Sequence, residues 1–121
     1  MAIKQQKEDT MADTYIDVTS DDFAEKVLNA PQLVIVNFSS DQSSACQIEE
    51  PEFVAISKEY QDRITFAKFN IKEPGAITQQ WNVEGVPTLI FFKGGQEIYR
   101  IKGIMMRDKL RRQIEGALLA N

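Results

Sequence analysis

The chain has 121 residues, of which 43% are hydrophobic and 26% are charged, and its net charge at pH 7 is −4. A chain of this length favours one domain around a single core, and its acidic balance argues against nucleic acid as the main partner, because phosphate binding relies on clustered lysine and arginine. The chain contains no histidine, which excludes Ser-His catalysis, Cys-His catalysis and histidine-containing zinc sites within it.

The N-terminal residues are polar and show no periodicity. We expect residues 1–12 to form a disordered extension and residues 13–121 to form one domain. The chain begins without the apolar segment of a secretory signal, and no apolar run approaches the ~20 residues of a membrane span. One cysteine cannot form an internal disulfide. We therefore expect a cytoplasmic protein that binds neither membranes nor nucleic acid and carries no cofactor or metal.

The first part of the domain predicts two strands joined by a helix. Residues 15–18 form a short strand, and a helix over 21–29 follows, capped by Ser20 and ended by Pro31. The continuous apolar run over 33–38 is typical of a strand that is covered on both faces.

A long helix is predicted next, from about residue 44 to residue 60. The side chains expected to face the core are Ile48, Phe53 and Ile56. Ser44 and Gln47 have the spacing of a capping box at its start. Pro51 is expected to kink the helix, because proline lacks the backbone N–H and its ring clashes with the preceding turn.

The second half of the domain predicts three more strands and two more helices. These are a strand over 64–71, a short helix over 74–81, hairpin strands over 88–92 and 97–102, and an amphipathic helix over 107–119. Gly94 and Gly95 have the composition of a tight hairpin turn. The full order, β-α-β-α-β-α-β-β-α, predicts an α/β fold with a central mixed sheet and helices on both faces.

The one cysteine, Cys46, stands between the predicted strand over 33–38 and the long helix. Ser43 precedes it by three residues, where a C-x-x-C redox motif would place the attacking thiol. Disulfide exchange needs one thiolate to attack and a second thiol to resolve the mixed disulfide. Cys46 alone can therefore support at most half of that cycle.

Six short segments, in their order and spacing, give the chain a family signature. They are Val34-Ile35-Val36-Asn37-Phe38, Cys46 with Pro51 five residues later, Lys68-Phe69-Asn70-Ile71, Val83-Glu84-Gly85-Val86-Pro87-Thr88-Leu89, Phe92-Lys93-Gly94-Gly95 and Gly103. Through them the chain resembles the thioredoxin family over almost all of its length from about residue 14 to residue 120. The resemblance implies the thioredoxin fold.

The resemblance also implies a binding groove. Val86–Pro87 would be the family's cis peptide bond, facing the loop before Cys46 and forming one wall of a shallow apolar groove. Gly103 and Ile104 would form another part of that wall, and Gln42 stands at the edge of the loop. The implied partner is a protein or an extended peptide bound beside Val86–Pro87.

The chain departs from the family pattern where the chemistry takes place. The family motif Trp-Cys-Gly-Pro-Cys is replaced by Gln42-Ser43-Ser44-Ala45-Cys46, so that Ser43 occupies the nucleophile position. Asn37 corresponds to the family's buried aspartate, which assists proton transfer, while the nearby Lys68 remains. A serine hydroxyl needs a base before it can attack, and Asn37 cannot accept a proton. Ser43 is therefore expected to cap the helix or to serve as a small polar loop residue.

Two functions remain open for Cys46. If Cys46 is a small buried side chain, the domain is redox-inactive or weakly active and binds a protein or peptide. If its sulfur is reachable, the domain is a monothiol oxidoreductase that uses an external thiol such as glutathione as the resolving partner. A reachable sulfur could also link two copies through a Cys46–Cys46 disulfide.

Four acidic residues lie near this loop. They are Asp41, Glu49, Glu50 and Glu52. The sequence predicts that they make this side of the domain acidic, which would favour partners with basic surfaces.

Overall fold

The computed structural model describes residues 14–72 and 75–120. Within these ranges the strands are β1 (Ile16–Val18), β2 (Val34–Ser39), β3 (Thr65–Asn70), β4 (Thr88–Lys93) and β5 (Gln96–Lys102), and the α-helices are α1 (Ser44–Tyr60), α2 (Ala76–Gln80) and α3 (Arg107–Ala120). A π-helix over Ala24–Leu28 joins β1 to β2. The predicted extension over 1–12 lies outside the described residues.

The strands form one mixed sheet in the order β1-β3-β2-β4-β5. β3 pairs in parallel with β1 and β2, whereas β4 pairs antiparallel with β2 and β5. The tight turn between β4 and β5 places Gly94 at φ 59° and Gly95 at φ 80°, a backbone region that glycine enters without strain. The predicted fold class, a mixed sheet of parallel crossovers and one hairpin, is confirmed.

Apolar side chains cover both faces of β2, all six of whose residues are buried. Because successive strand residues point to opposite faces, Ile35 joins the cluster under α1 and α3 that contains Phe53 and Ile114. Val36 joins the opposite cluster, which contains Phe23 and lies under the π-helix and α2. The helices on the two faces therefore have separate cores, with β2 between them.

The helical segment before β2 differs from the prediction. Residues 24–28 are π-helical, with the N–H of Asn29 donating to the carbonyl of Ala24 at 2.9 Å. The predicted cap at Ser20 is wrong, because the carboxylate of Asp22 accepts the N–H of Thr19 at 2.7 Å and closes a turn there. Regular helical backbone therefore begins only after this turn.

The core-facing row of α1 also differs from the prediction. Its buried residues are Cys46, Glu49, Glu52, Phe53, Ile56, Ser57 and Tyr60. The prediction that Ile48 faces the core is wrong, since its side chain is 51% exposed. At 3.6 residues per turn, Ile48 lies about 140° around the helix from Phe53. Pro51 lies within α1, and the kink expected from it stays a prediction.

No helix within the described ranges is both long enough and apolar enough to span a bilayer.

Candidate functional site

The loop between β2 and α1 ends in a helix cap. Ser43 has extended backbone angles, and its hydroxyl accepts the N–H of Cys46 at 3.2 Å. This bond satisfies one of the backbone donors that a helix start leaves unpaired. The capping role predicted for Ser43 is confirmed, whereas the predicted capping box at Ser44 is wrong, because Ser44 is already the first helical residue and the Gln47 amide reaches the carbonyl of Asp41 at 3.5 Å.

Cys46 is placed in the first turn of α1 with its thiol covered. The residue is only 4% exposed, and its Sγ accepts the N–H of Ser40 at 3.4 Å. The segment from Ser40 to Ser43 thus holds both the sulfur and the backbone of Cys46. A disulfide in another molecule could reach this sulfur only if the groups that bury it moved away.

Asn37 is the residue that the resemblance assigns to the proton-transfer position. It is fully buried in β2, where it stands in register with Lys68 of β3 and Leu89 of β4. It shares a face with Ile35, so it points toward the layer that contains α1. Neither polar atom of its side chain has a hydrogen-bond partner among the described residues. The position therefore holds a buried amide that cannot exchange a proton near neutral pH.

Lys68 is paired with a carboxylate of α1. Its Nζ lies 3.1 Å from Oε1 of Glu50 and 5.8 Å from the centre of the Tyr15 ring. The hydroxyl of Tyr15 donates to the other oxygen of Glu50 at 2.9 Å. Burial first, and then this bond to Glu50, raise the pKa of Tyr15 far above its usual range. Glu50 was not identified from the sequence as a partner of Lys68.

The two predicted parts of the groove wall lie together. The Val86–Pro87 peptide bond is cis, and the carbonyl of Pro87 accepts the N–H of Gly103 at 2.9 Å. Gly103 has φ 87°, which a side chain would strain, and the adjacent Ile104 is 43% exposed. An open hollow of about 350 Å³ lies against this wall. It is lined by residues 84–88 together with Arg100, Lys102 and Gly103.

Gln42 is exposed but does not line that hollow. It lines a separate one of about 370 Å³, shared with Asp41 and Asn70. A third hollow of about 390 Å³ contains Ser40 and Val86. Ser40 lines both this third hollow and the hollow at Gln42. The third hollow therefore connects the loop around Gln42 with the wall at Val86. The structure therefore places Gln42 at one end of this surface and Gly103 at the other.

The predicted acidic surface beside the loop is wrong. Of its four residues only Asp41 is exposed, while Glu49 is fully buried and Glu52 is 8% exposed. Glu50 is held by Lys68 and Tyr15. The carboxylates that the sequence assigned to solvent are instead bonded within the fold.

Two of these carboxylates hold the segment that follows the groove wall. Oε1 of Glu49 accepts the N–H of Met105 at 2.8 Å. Glu52 accepts the backbone N–H of Arg107 at 2.8 Å and its guanidinium at 3.2 and 3.3 Å. It was not predicted from the sequence that Glu49 and Glu52 are buried and bind this segment. Their spacing of three residues, in step with the buried Cys46, was the signal that could have found them.

The two carboxyls differ in their electrostatic surroundings. Burial raises the pKa of Glu49 to about 7; the hydrogen bond from Met105 opposes this rise and the nearby Glu52 adds to it. The side chain and backbone of Arg107 hold the pKa of Glu52 below its usual value. Within the described part of the chain, no group of three or more acidic or cysteine side chains is arranged to hold a metal ion.

Comparisons with known proteins agree with the fold. The family model described as "Thioredoxin" matches residues 14–116. The chain is 36% identical over 86 residues to a thioredoxin of Acidithiobacillus ferridurans, a match that covers 71% of this chain and 80% of the relative. It is 29% identical over 101 residues to thioredoxin 1 of a Nostoc strain, covering 84% and 94%. It is also 31% identical to thioredoxin H2-2 of Oryza sativa subsp. japonica, where the match covers 71% of this chain and less than two thirds, 63%, of the relative.

Proposed function

The chain belongs to the thioredoxin family, and from this premise we propose that it is a redox-inactive domain that binds a protein or an extended peptide. The observation that carries the proposal is what Ser43 and Cys46 do in the structure. Ser43 caps α1, and the sulfur of Cys46 is buried beneath the loop. A dithiol cycle needs an exposed attacking thiolate and a resolving thiol. Ser43 has no sulfur to attack with, and the buried Cys46 can supply at most the resolving thiol.

The groove supports the binding half of the proposal. The bond from Gly103 to Pro87 ties its two wall segments together, and the exposed side chain of Ile104 provides apolar surface beside them. An extended peptide laid along such a wall can add backbone hydrogen bonds while its side chains enter the hollows. With one cysteine, the chain has the cysteine usage of proteins in reducing compartments, and we place it in the cytoplasm.

The monothiol alternative uses the same sulfur. In it the Cys46 thiolate attacks a substrate disulfide and releases one thiol. A glutathione thiolate then attacks the substrate sulfur of the mixed disulfide, which forms a substrate–glutathione disulfide and releases the Cys46 thiolate. This cycle, like a Cys46–Cys46 dimer, requires the loop at Ser40 to leave the sulfur. The retained cysteine favours the alternative, and the covered position of its sulfur favours the binding domain.

Alkylation and turnover separate the two functions. We expect native Cys46 to react with iodoacetamide at least ~100-fold more slowly than in urea, because the reagent meets the thiolate only when the loop or the fold opens. We also expect insulin reduction, driven by dithiothreitol or by glutathione with glutathione reductase, to equal that of a Cys46→Ser control. Turnover above that control, together with fast native alkylation, would reject the binding-only function in favour of the monothiol enzyme.

Binding is tested with paired surface substitutions. On an array of extended peptides, we expect the wild type and Cys46→Ser to bind the same sequences. Ile104→Asp should weaken binding by roughly 10-fold or more, because it buries a carboxylate against the ligand. Leu119→Asp is the matched control, since Leu119 is 88% exposed near the end of α3. Equal loss in both variants, or no peptide binding by the wild type, would contradict a peptide-binding groove.

A further inference from the structure

The segment that carries the groove wall is attached to α1 through two carboxylates. Glu49 bonds the backbone of Met105, the residue after Ile104. One turn later, Glu52 bonds the backbone and side chain of Arg107, the first residue of α3. The wall at Gly103 and Ile104 is therefore fixed on one side by Pro87 and on the other by α1.

We propose that Glu49 is a positioning residue of the binding groove, whose neutral carboxyl keeps Met105 and the adjoining wall docked on α1 and whose ionisation loosens them. The proposal rests on the proposed function, because only a groove that binds a partner makes the position of this wall matter. The attachment itself can be measured without any partner.

Complete burial makes the charged form of Glu49 unfavourable. The residue has no exposed surface, and its Oε2 has no hydrogen-bond partner among the described residues. An ionised carboxylate in such a place keeps one bond, from Met105, and loses the solvation of its second oxygen. A conformation in which the segment after Gly103 lifts away and admits water would relieve that cost. Ionisation therefore favours the open conformation.

The charged groups around Glu49 do not offset this cost. On its own helix, Glu52 adds a second negative charge, and Cys46 lies one turn before it. On α3, Arg107 is engaged by Glu52. On β3, Lys68 is engaged by Glu50. Within the described residues, no cation lies within ion-pair distance of Glu49, so its carboxyl titrates against burial and a like charge.

Nuclear magnetic resonance of the amide of Met105 tests the attachment. In the wild type we expect its proton chemical shift to titrate near neutral pH. Its protection from hydrogen exchange, corrected for the intrinsic rate, should fall by up to ~100-fold between about pH 5 and about pH 9. In Glu49→Gln, which keeps an acceptor oxygen but cannot ionise, both quantities should stay constant. A wild-type amide that does not titrate, or a titration that persists in Glu49→Gln, would overturn the proposal.

Glu59→Gln is the matched control for this experiment. Glu59 also joins α1 to α3, through Arg111 at 2.6 Å, but it is exposed and does not contact the wall segment. We expect this variant to keep the wild-type titration of Met105. Loss of the titration in this variant too would show a general effect of the helix pair and would overturn the role of Glu49.

Peptide affinity measured across pH connects the attachment to the groove. Binding by the wild type should weaken by roughly 10-fold between about pH 6 and about pH 8.5, while binding by Glu49→Gln stays constant. Constant wild-type affinity despite a titrating Met105 would overturn the positioning role and leave the proposed function intact. Absence of binding at every pH in both proteins would instead reject the proposed function, while the amide of Met105 would still decide whether Glu49 holds the segment.

Discussion

The free energy of unfolding of the wild type is expected to fall as the pH rises from about 4.5 to about 7, by up to roughly 3 kcal/mol, and Glu49→Gln is expected to abolish that fall. The cause is the buried carboxyl of Glu49, whose pKa is raised from an ordinary 4.5 to about 7 by burial. The folded state therefore keeps a proton that the unfolded state has already released. This contribution is fully present below about pH 4.5 and is lost as the pH rises through about 7.

Other carboxyls change the stability of the fold at lower pH than Glu49 does. Arginine partners lower the pKa values of Glu52, Glu59 and Glu97. Their contribution is present above their ordinary pKa and is lost only as the pH falls through the lowered values. The trend between about pH 5 and about pH 8 should therefore come mainly from Glu49.

Urea denaturation across that range measures the effect. The difference in unfolding free energy between the wild type and Glu49→Gln should change steadily with pH and level off above about pH 8. The difference between the wild type and Glu59→Gln should stay nearly flat, because that carboxyl is exposed and titrates in the acid range. Parallel pH curves for the wild type and Glu49→Gln would show that the buried carboxyl does not control stability.

The strands and the hairpin could be predicted because their signals are local. The apolar run that became β2 needs only to be covered on both faces, and the glycine pair at 94 and 95 selects its own turn. The π-helix over 24–28 could not be predicted in the same way. The turn that precedes it is closed by a bond from the N–H of Thr19 to the side chain of Asp22, and such a bond depends on loop geometry rather than on periodicity.

At the candidate site, less could be predicted from the sequence. Ile48 was assigned to the core because it is apolar, although its angle on the helix places it outside. Cys46 and Phe53 are seven residues apart and share a face, so a row drawn through them would have included Glu49. The partners of Glu49 and Glu52, such as Met105, lie more than fifty residues away in sequence. They are known only once α1 and α3 are packed together.

Ser43→Cys is expected to raise insulin-reducing activity well above that of the wild type, which under the proposed function has none. The side chain at this position already points at the start of the helix, since the hydroxyl of Ser43 lies 3.2 Å from the backbone nitrogen of Cys46. A thiol there would have the C-x-x-C spacing with Cys46, and a helix N-terminus favours its thiolate. Loss of the serine cap should cost about 1 kcal/mol of stability, which is small enough to keep the fold.

Turnover with dithiothreitol, compared across three variants, decides whether a sulfur at position 43 is enough to give this fold dithiol activity. Ser44→Cys places a thiol one residue later, exposed at the same helix start but with the wrong spacing, and should stay at background. Ser43→Cys combined with Cys46→Ser should lose the gained activity, because the mixed disulfide then has no internal resolving thiol. If Ser43→Cys alone stays inactive although its cysteine is readily alkylated, the second thiol cannot resolve from beneath the loop at Ser40. The burial of Cys46, rather than the absence of a thiol at position 43, would then be what prevents dithiol turnover in this fold.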